Sequence, residues 1–142
     1  MGIIEKKYKD KKNHYSMKSI PKSLRIWFLI HFIVDLLFAI PLIFFPITFL
    51  SLLGFTIIDP ITARLVGAAL IGIGGASFFA YKKTKKTYDI LLTLKIIWSI
   101  SAIFTLAWAI IEGSPKIVWL ILITFMLFSG VWIYYKLKLR KN

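Results

Sequence analysis

The sequence predicts an all-α integral membrane protein: a four-helix transmembrane bundle with short hairpin connections and both termini in the cytoplasm. Three observations lead there. The 142 residues are 58% hydrophobic and have a mean hydropathy of +0.78, beyond the usual range of soluble domains. Four apolar stretches supply the ~20 residues that a helix needs to cross a ~30 Å hydrocarbon core. The cations are also segregated: of 19 Lys and Arg, only Arg64, Lys95 and Lys116 lie outside three clusters. Those clusters precede the first stretch, separate the second from the third and follow the fourth, so in a four-span chain all three face one side, as cytoplasmic segments do.

Residues 1–23 are lysine-rich and lack apolar periodicity, so they are expected to be a disordered or surface-lying arm. Anionic lipid headgroups are its expected neighbours, at ~1 kcal/mol per basic residue near the surface. Met17 opens a shorter reading frame that would keep every span, and His14 reads as solvated. The first span covers about 24–45, with Pro41 bending its outer end and Pro46 ending it. Residues 47–58 are apolar but too short to cross, and they contain Gly54, which suggests a half-helix lying in the outer interface or dipping into it. Asp59-Pro60 is a helix-start signal, a capping carboxylate followed by proline at the first helical position. It opens a second span of about 60–81.

The third span covers about 88–111 and stops at Gly113. Ser114-Pro115 repeats the start signal for a fourth span of about 115–135. Trp132, Tyr134 and Tyr135 then meet the basic tail, 137–142, as an aromatic belt would, and Trp27 and Trp119 read as further interface anchors. The transmembrane domain as a whole is 24–136. Short connections place consecutive helices antiparallel and adjacent.

Composition removes several functions. The chain has no cysteine, which excludes disulfides, thiolate metal sites and cysteine nucleophiles. The net charge of +13 is accounted for by the cytoplasmic clusters, so nucleic acid is not an expected partner.

The polar residues inside the spans carry the remaining signal. His31 and Asp35 share a helical face, four residues apart. At ~1.5 Å per residue from Arg25, Asp35 lies ~15 Å deep, where a carboxylate is costly and must face the bundle interior, paired or protonated. Arg64 and Lys95 are long enough to reach it, although each can instead extend to its nearer interface. The expected site is therefore a buried cluster of His31, Asp35, Arg64 and Lys95, joined by Ser99 on the face of Lys95. No metal is expected, because His31 and Asp35 lack a third ligand, and nothing indicates a cofactor. Lys95 and Ser99 can be drawn as a catalytic dyad, but intramembrane hydroxyls commonly bond back to their own helix. On the second span, Ala68, Gly72 and Ala76, flanked by Gly67 and Gly75, form a small-residue stripe for helix packing within the bundle or for a homodimer.

The intramembrane polar residue, the segment "LLGFTIIDPITARLVGAALIGIG" and the short basic loop after it resemble small prokaryotic four-helix membrane proteins of the DoxX-like group. The resemblance is architectural, rests mainly on Arg64, Gly67 and the small residues after them, and transfers no active site. It implies a prokaryotic cell membrane. The leading functional expectation is a non-enzymatic accessory or structural component, docked to a membrane protein partner or to copies of itself. The alternative is binding or transport of a proton or small polar solute through the cluster, as an oligomer. A membrane-embedded enzyme is the third class.

Overall fold

The computed structural model describes residues 2–18 and 20–141, with side chains for 2–11 and 20–141. These residues form six helices: α1 (Ile3–Lys18), α2 (Lys22–Phe44), α3 (Pro46–Leu52), α4 (Pro60–Phe79), α5 (Lys85–Ile111) and α6 (Ile117–Lys141). Four of them, α2, α4, α5 and α6, are long and apolar enough to cross a membrane. The N-terminal arm, expected to be disordered or surface-lying, carries α1, because its lysines are good helix formers and neither glycine nor proline interrupts it. The exposure expected of His14 lies outside the described side chains.

The helix boundaries follow local chemistry. Pro41 sits within α2 without ending it, and Pro46 opens α3 as its first residue. The segment expected to be a half-helix is thus a short helix followed by an irregular stretch, 53–59, with Gly54 at a φ of +89°. Asp59 caps α4 by accepting from the Ile61 backbone N–H at 3.0 Å and from the Thr62 hydroxyl. The Thr62 hydroxyl and then the Ile61 N–H hold the Asp59 pKa below the ordinary carboxylate value. The cap is at full strength above that ordinary value and is lost as pH falls through the lowered one.

Gly113, at a φ of +93°, ends α5. Ser114 belongs to the same stop and does not cap α6: its hydroxyl donates to the Ala109 carbonyl at 2.7 Å, and the helix begins only at Ile117. The tail expected at 137–142 continues α6 to Lys141. Lys138, Arg140 and Lys141 there complement the negative end of the helix dipole.

Side-chain contacts fix the arrangement. Ile20, Leu24 and Phe28 of the α2 end pack with Tyr88 and Leu92 at the start of α5 and with Trp132, Tyr135 and Leu139 of α6. Tyr88 donates to the Tyr81 carbonyl, which brings the end of α4 to the same place. The start of α2, the end of α4, the start of α5 and the end of α6 therefore share one end, the lysine-rich one. Consecutive long helices have opposite ends at this place, but they are not equally close. α2 packs along α4 and α5 along α6, whereas α4 and α5 meet only sparingly despite the tight turn between them. The domain is two hairpins laid together, α2/α4 and α5/α6.

The α2/α4 contact depends on glycine. The buried face of α4 is Ala63, Gly67, Leu70, Gly74 and Ser77, at alternating spacings of four and three. A Cβ on Gly67 would lie 2.7 Å from Ile43 Cγ1, and one on Gly74 would lie 2.9 Å from the Cβ and from Oδ2 of Asp35. This corrects the expected stripe. Gly67 belongs to the contact, but Ala68 and Gly72 are exposed, Gly75 and Ala76 are half-buried, and neither Gly72 nor Gly75 has a neighbour within 4 Å of an added Cβ. The small-residue pattern is real, but its packed face lies on the opposite side of the helix from Ala68, Gly72 and Ala76, about 180° away at ~100° per residue.

Gly74→Ala should lower stability by about 1–3 kcal/mol, since Asp35 must shift. Gly72→Ala should leave it unchanged or raise it by up to ~1 kcal/mol through helix propensity. Unfolding curves in detergent micelles check both.

Candidate functional site

His31 and Asp35 face inward from α2, 7% and 6% exposed, and Lys95 faces them from α5 at 2%. The arrangement is compact. Asp35 Oδ2 lies 2.8 Å from His31 Nδ1, and Lys95 Nζ lies 3.1 Å from the same nitrogen. Helical periodicity brings the first two together, and the seat that Gly74 leaves for the carboxylate lets α4 close over them. The Lys95 ammonium also lies over the rings of Phe28 and Trp132, 5.2 and 5.0 Å from their centroids. Those contacts stabilise a cation that has left water. Trp132 and Phe128 meet the His31 ring edge-on at 5.2 and 4.9 Å and stack on each other.

One nitrogen therefore stands between two groups. Nδ1 has a single in-plane position: it accepts from the Lys95 ammonium, or it carries a proton and donates to Asp35. It cannot do both. Asp35 Oδ2 is fully enclosed, between that nitrogen at 2.8 Å and the backbone of Gly74, and has a hydrogen bond only when the ring donates to it. The cluster is charge-paired, yet its hydrogen bonding is incomplete.

Two expected members fall elsewhere. Arg64 is exposed and donates from Nε to the Ile43 carbonyl at 3.1 Å. The last carbonyls of α2 have no helical N–H to meet, and a guanidinium at a helix C-terminus satisfies one and complements the dipole. That site lies closer to Arg64 than Asp35 does, so the cluster is His31, Asp35 and Lys95 without Arg64. Ser99 is buried, but its hydroxyl donates to the Ile96 carbonyl at 3.1 Å, leaving the drawn Ser–Lys dyad unmade. Trp132, expected at the interface, is 1% exposed and forms a wall of the cluster.

Sequence reasoning also missed a second polar clamp. Lys136, counted among the tail cations, ties α6 to α5 through the Asp89 carboxylate at 2.6 Å, the Asp89 carbonyl at 2.9 Å and the Thr93 hydroxyl at 2.6 Å. The signal was present in Asp89, the one acidic residue between the basic loop and the third span's apolar stretch.

The hairpins that touch at the lysine-rich end leave a cavity of about 660 Å³ toward the other. His31, Asp35, Lys95 and Ser99 line its inner end; Phe49, Leu53 and Ile58, from α3 and the stretch after it, line the far end. Ile57 and Asp59 lie in its wall and are exposed, so the cavity reaches the surface of the chain there. Its volume falls within the ~300–1,000 Å³ of ordinary ligand sites, and a few polar groups on an apolar lining are what such sites contain. Among the described residues no three His, Cys, Asp or Glu side chains converge as a metal site would require. No known protein family, curated protein or solved structure matches the chain.

Lys95→Met should lower stability by ~3–5 kcal/mol, because it leaves Asp35 buried without its counter-charge, and adding Asp35→Asn should recover most of that loss. Arg64→Gln combined with Asp35→Asn should be additive within ~0.5 kcal/mol. A double-mutant cycle by unfolding in micelles separates the coupled pair from the uncoupled one.

Proposed function

We propose that this chain is a small multi-pass protein of a prokaryotic cell membrane that binds a ligand between its two hairpins, with the ligand's polar group at the His31–Asp35–Lys95 cluster. The observation that carries this reading is the cavity whose inner end is lined by three buried ionisable side chains, His31, Asp35 and Lys95. A cluster that only fastened helices would be expected to close on itself. Both termini face the cytoplasm in this proposal, with the basic segments against anionic lipid headgroups, because every lysine-rich turn or terminus lies at one end of the helices.

An accessory subunit with a structural cluster is the second reading. It draws on Gly74, which gives Asp35 a seat of the right size whether or not anything enters the cavity. The two readings separate at the apolar wall. Thr124 lines the cavity from α6, and its hydroxyl bonds back to the Leu120 carbonyl at 2.9 Å, outside the cluster.

Native mass spectrometry of protein extracted from membranes should find a small molecule bound to the wild type. It should be absent from Thr124→Phe, which narrows the cavity while leaving helicity and thermal stability unchanged. Two empty proteins would leave the accessory reading in place. Orientation is tested separately, since the absence of cysteine permits single-cysteine labelling without prior engineering. A membrane-impermeant maleimide added to intact cells should label Glu112→Cys, and it should spare Lys83→Cys and Lys138→Cys until the cells are opened.

A further inference from the structure

The cavity's own chemistry restricts what can occupy it, granted the binding reading above. Its hydroxyls make no demand on a ligand. Ser99 and Thr124 donate to carbonyls of their own helices, and Thr62 at the rim is engaged with Asp59. The remaining walls are aliphatic and aromatic, so the body of the occupant is apolar over most of its length.

Apart from the indole N–H groups of Trp98 and Trp132, the polar demand comes from the cluster, and it has two halves. If Nδ1 of His31 accepts from Lys95, Asp35 lacks a donor; if it donates to Asp35, Lys95 lacks an acceptor. Asp35 Oδ2 and Lys95 Nζ lie 2.8 and 3.1 Å from that one nitrogen, so a single head group at the cavity's inner end lies beside both side chains. A hydroxyl donates one hydrogen bond and accepts others, so it meets the need of either state, whereas a group that only accepts meets one.

Charge gives an independent restriction. Asp35 and Lys95 are one acid and one base on the same imidazole nitrogen, so the cluster needs no further ion, and a charged head would leave one charge uncompensated among apolar groups. Such a head would also have to travel the apolar length of the cavity, from its mouth at Ile57 and Asp59 to Asp35, which is costly for an ion. An uncharged head meets neither barrier.

We infer that the occupant is a membrane-dissolved amphiphile with a long apolar body and one uncharged hydroxyl head, and that this head docks between Asp35 and Lys95.

The test uses the full chain in phosphatidylcholine vesicles and four photoreactive probes that share one sixteen-carbon tail carrying a diazirine: an alcohol, its methyl ether, a carboxylate and a quaternary ammonium. After illumination, adducts are mapped to peptides from the cavity wall, residues 49–62 and 117–125. The alcohol should label these peptides roughly tenfold more than the ether, which accepts but cannot donate, and more than either ion. That preference should shrink to near unity in the charge-free pair Asp35→Asn with Lys95→Met, whose folding is checked by circular dichroism. Equal labelling by alcohol and ether, or a preference for an ion, overturns the hydroxyl assignment and leaves the cavity as a binding site. If no probe labels the wall of the wild type above Thr124→Phe, the hydroxyl assignment and the binding reading both fail.

Discussion

Asp35 seated against Gly74 is the contact on which the rest of the arrangement depends. A carboxylate this deep in an apolar helix must be surrounded, and the absent side chain at Gly74 lets α4 approach closely enough to cover it. With α4 on one side of α2, the next turn of the same face points His31 across the opposite gap, where Lys95 of α5 meets it. The polar residues thus tie together hairpins whose backbones otherwise touch little. In a bilayer, burying Leu against Leu gives no hydrophobic gain, so packing, small residues and hydrogen bonds must do the joining.

The two ends of the molecule then differ for a reason. At the lysine-rich end Phe28, Tyr88 and Trp132 fill the space between hairpins, with Phe28 against Tyr88 at 4.8 Å and against Trp132 at 5.6 Å between centroids. Beyond the cluster the wall residues facing the gap are smaller or set further back, as Ser99, Ala63 and Thr124 are, and a cavity remains. Arg64 and α3 hold the far end of the α2/α4 hairpin in place of a second aromatic plug. Arg64 closes the last turn of α2 while Pro46 turns the chain back along it.

The spans were legible in the sequence because length, apolar content and the Asp59 and Gly113 boundary signals all act locally. His31, Asp35 and Lys95 were legible too, since a deep ionisable residue needs a partner and few were on offer. Arg64 was misplaced because the competing acceptor was a backbone carbonyl, which no residue type reveals. The helix face was misplaced for a related reason: Gly67 and Gly74 lie on one side of α4 and Gly72 and Gly75 on the other, and only the position of Asp35 on α2 selects the side containing Gly74. Trp132 stands near a span end by count, yet α6 continues to Lys141, so the tryptophan lies deeper than its distance from the basic tail suggested.

Stability alone does not explain why the cluster has this composition. A buried ion pair can often be exchanged for apolar residues of similar volume with no loss, and a four-helix domain could be held at this level by the aromatic packing already beside it. Charge pairing without complete hydrogen bonding is poorer still as a fastener, because the low dielectric that strengthens each bond made also raises the cost of each bond missing. Asp35 and Lys95 both line the cavity, where another molecule would meet them. A carboxylate and an ammonium held on either side of one imidazole nitrogen, at the closed end of an apolar cavity, cost little when a small donor–acceptor group completes them and more when none does. That difference is a binding energy directed at a particular head group, and it is the physical reason for reading the cluster as the end of a site.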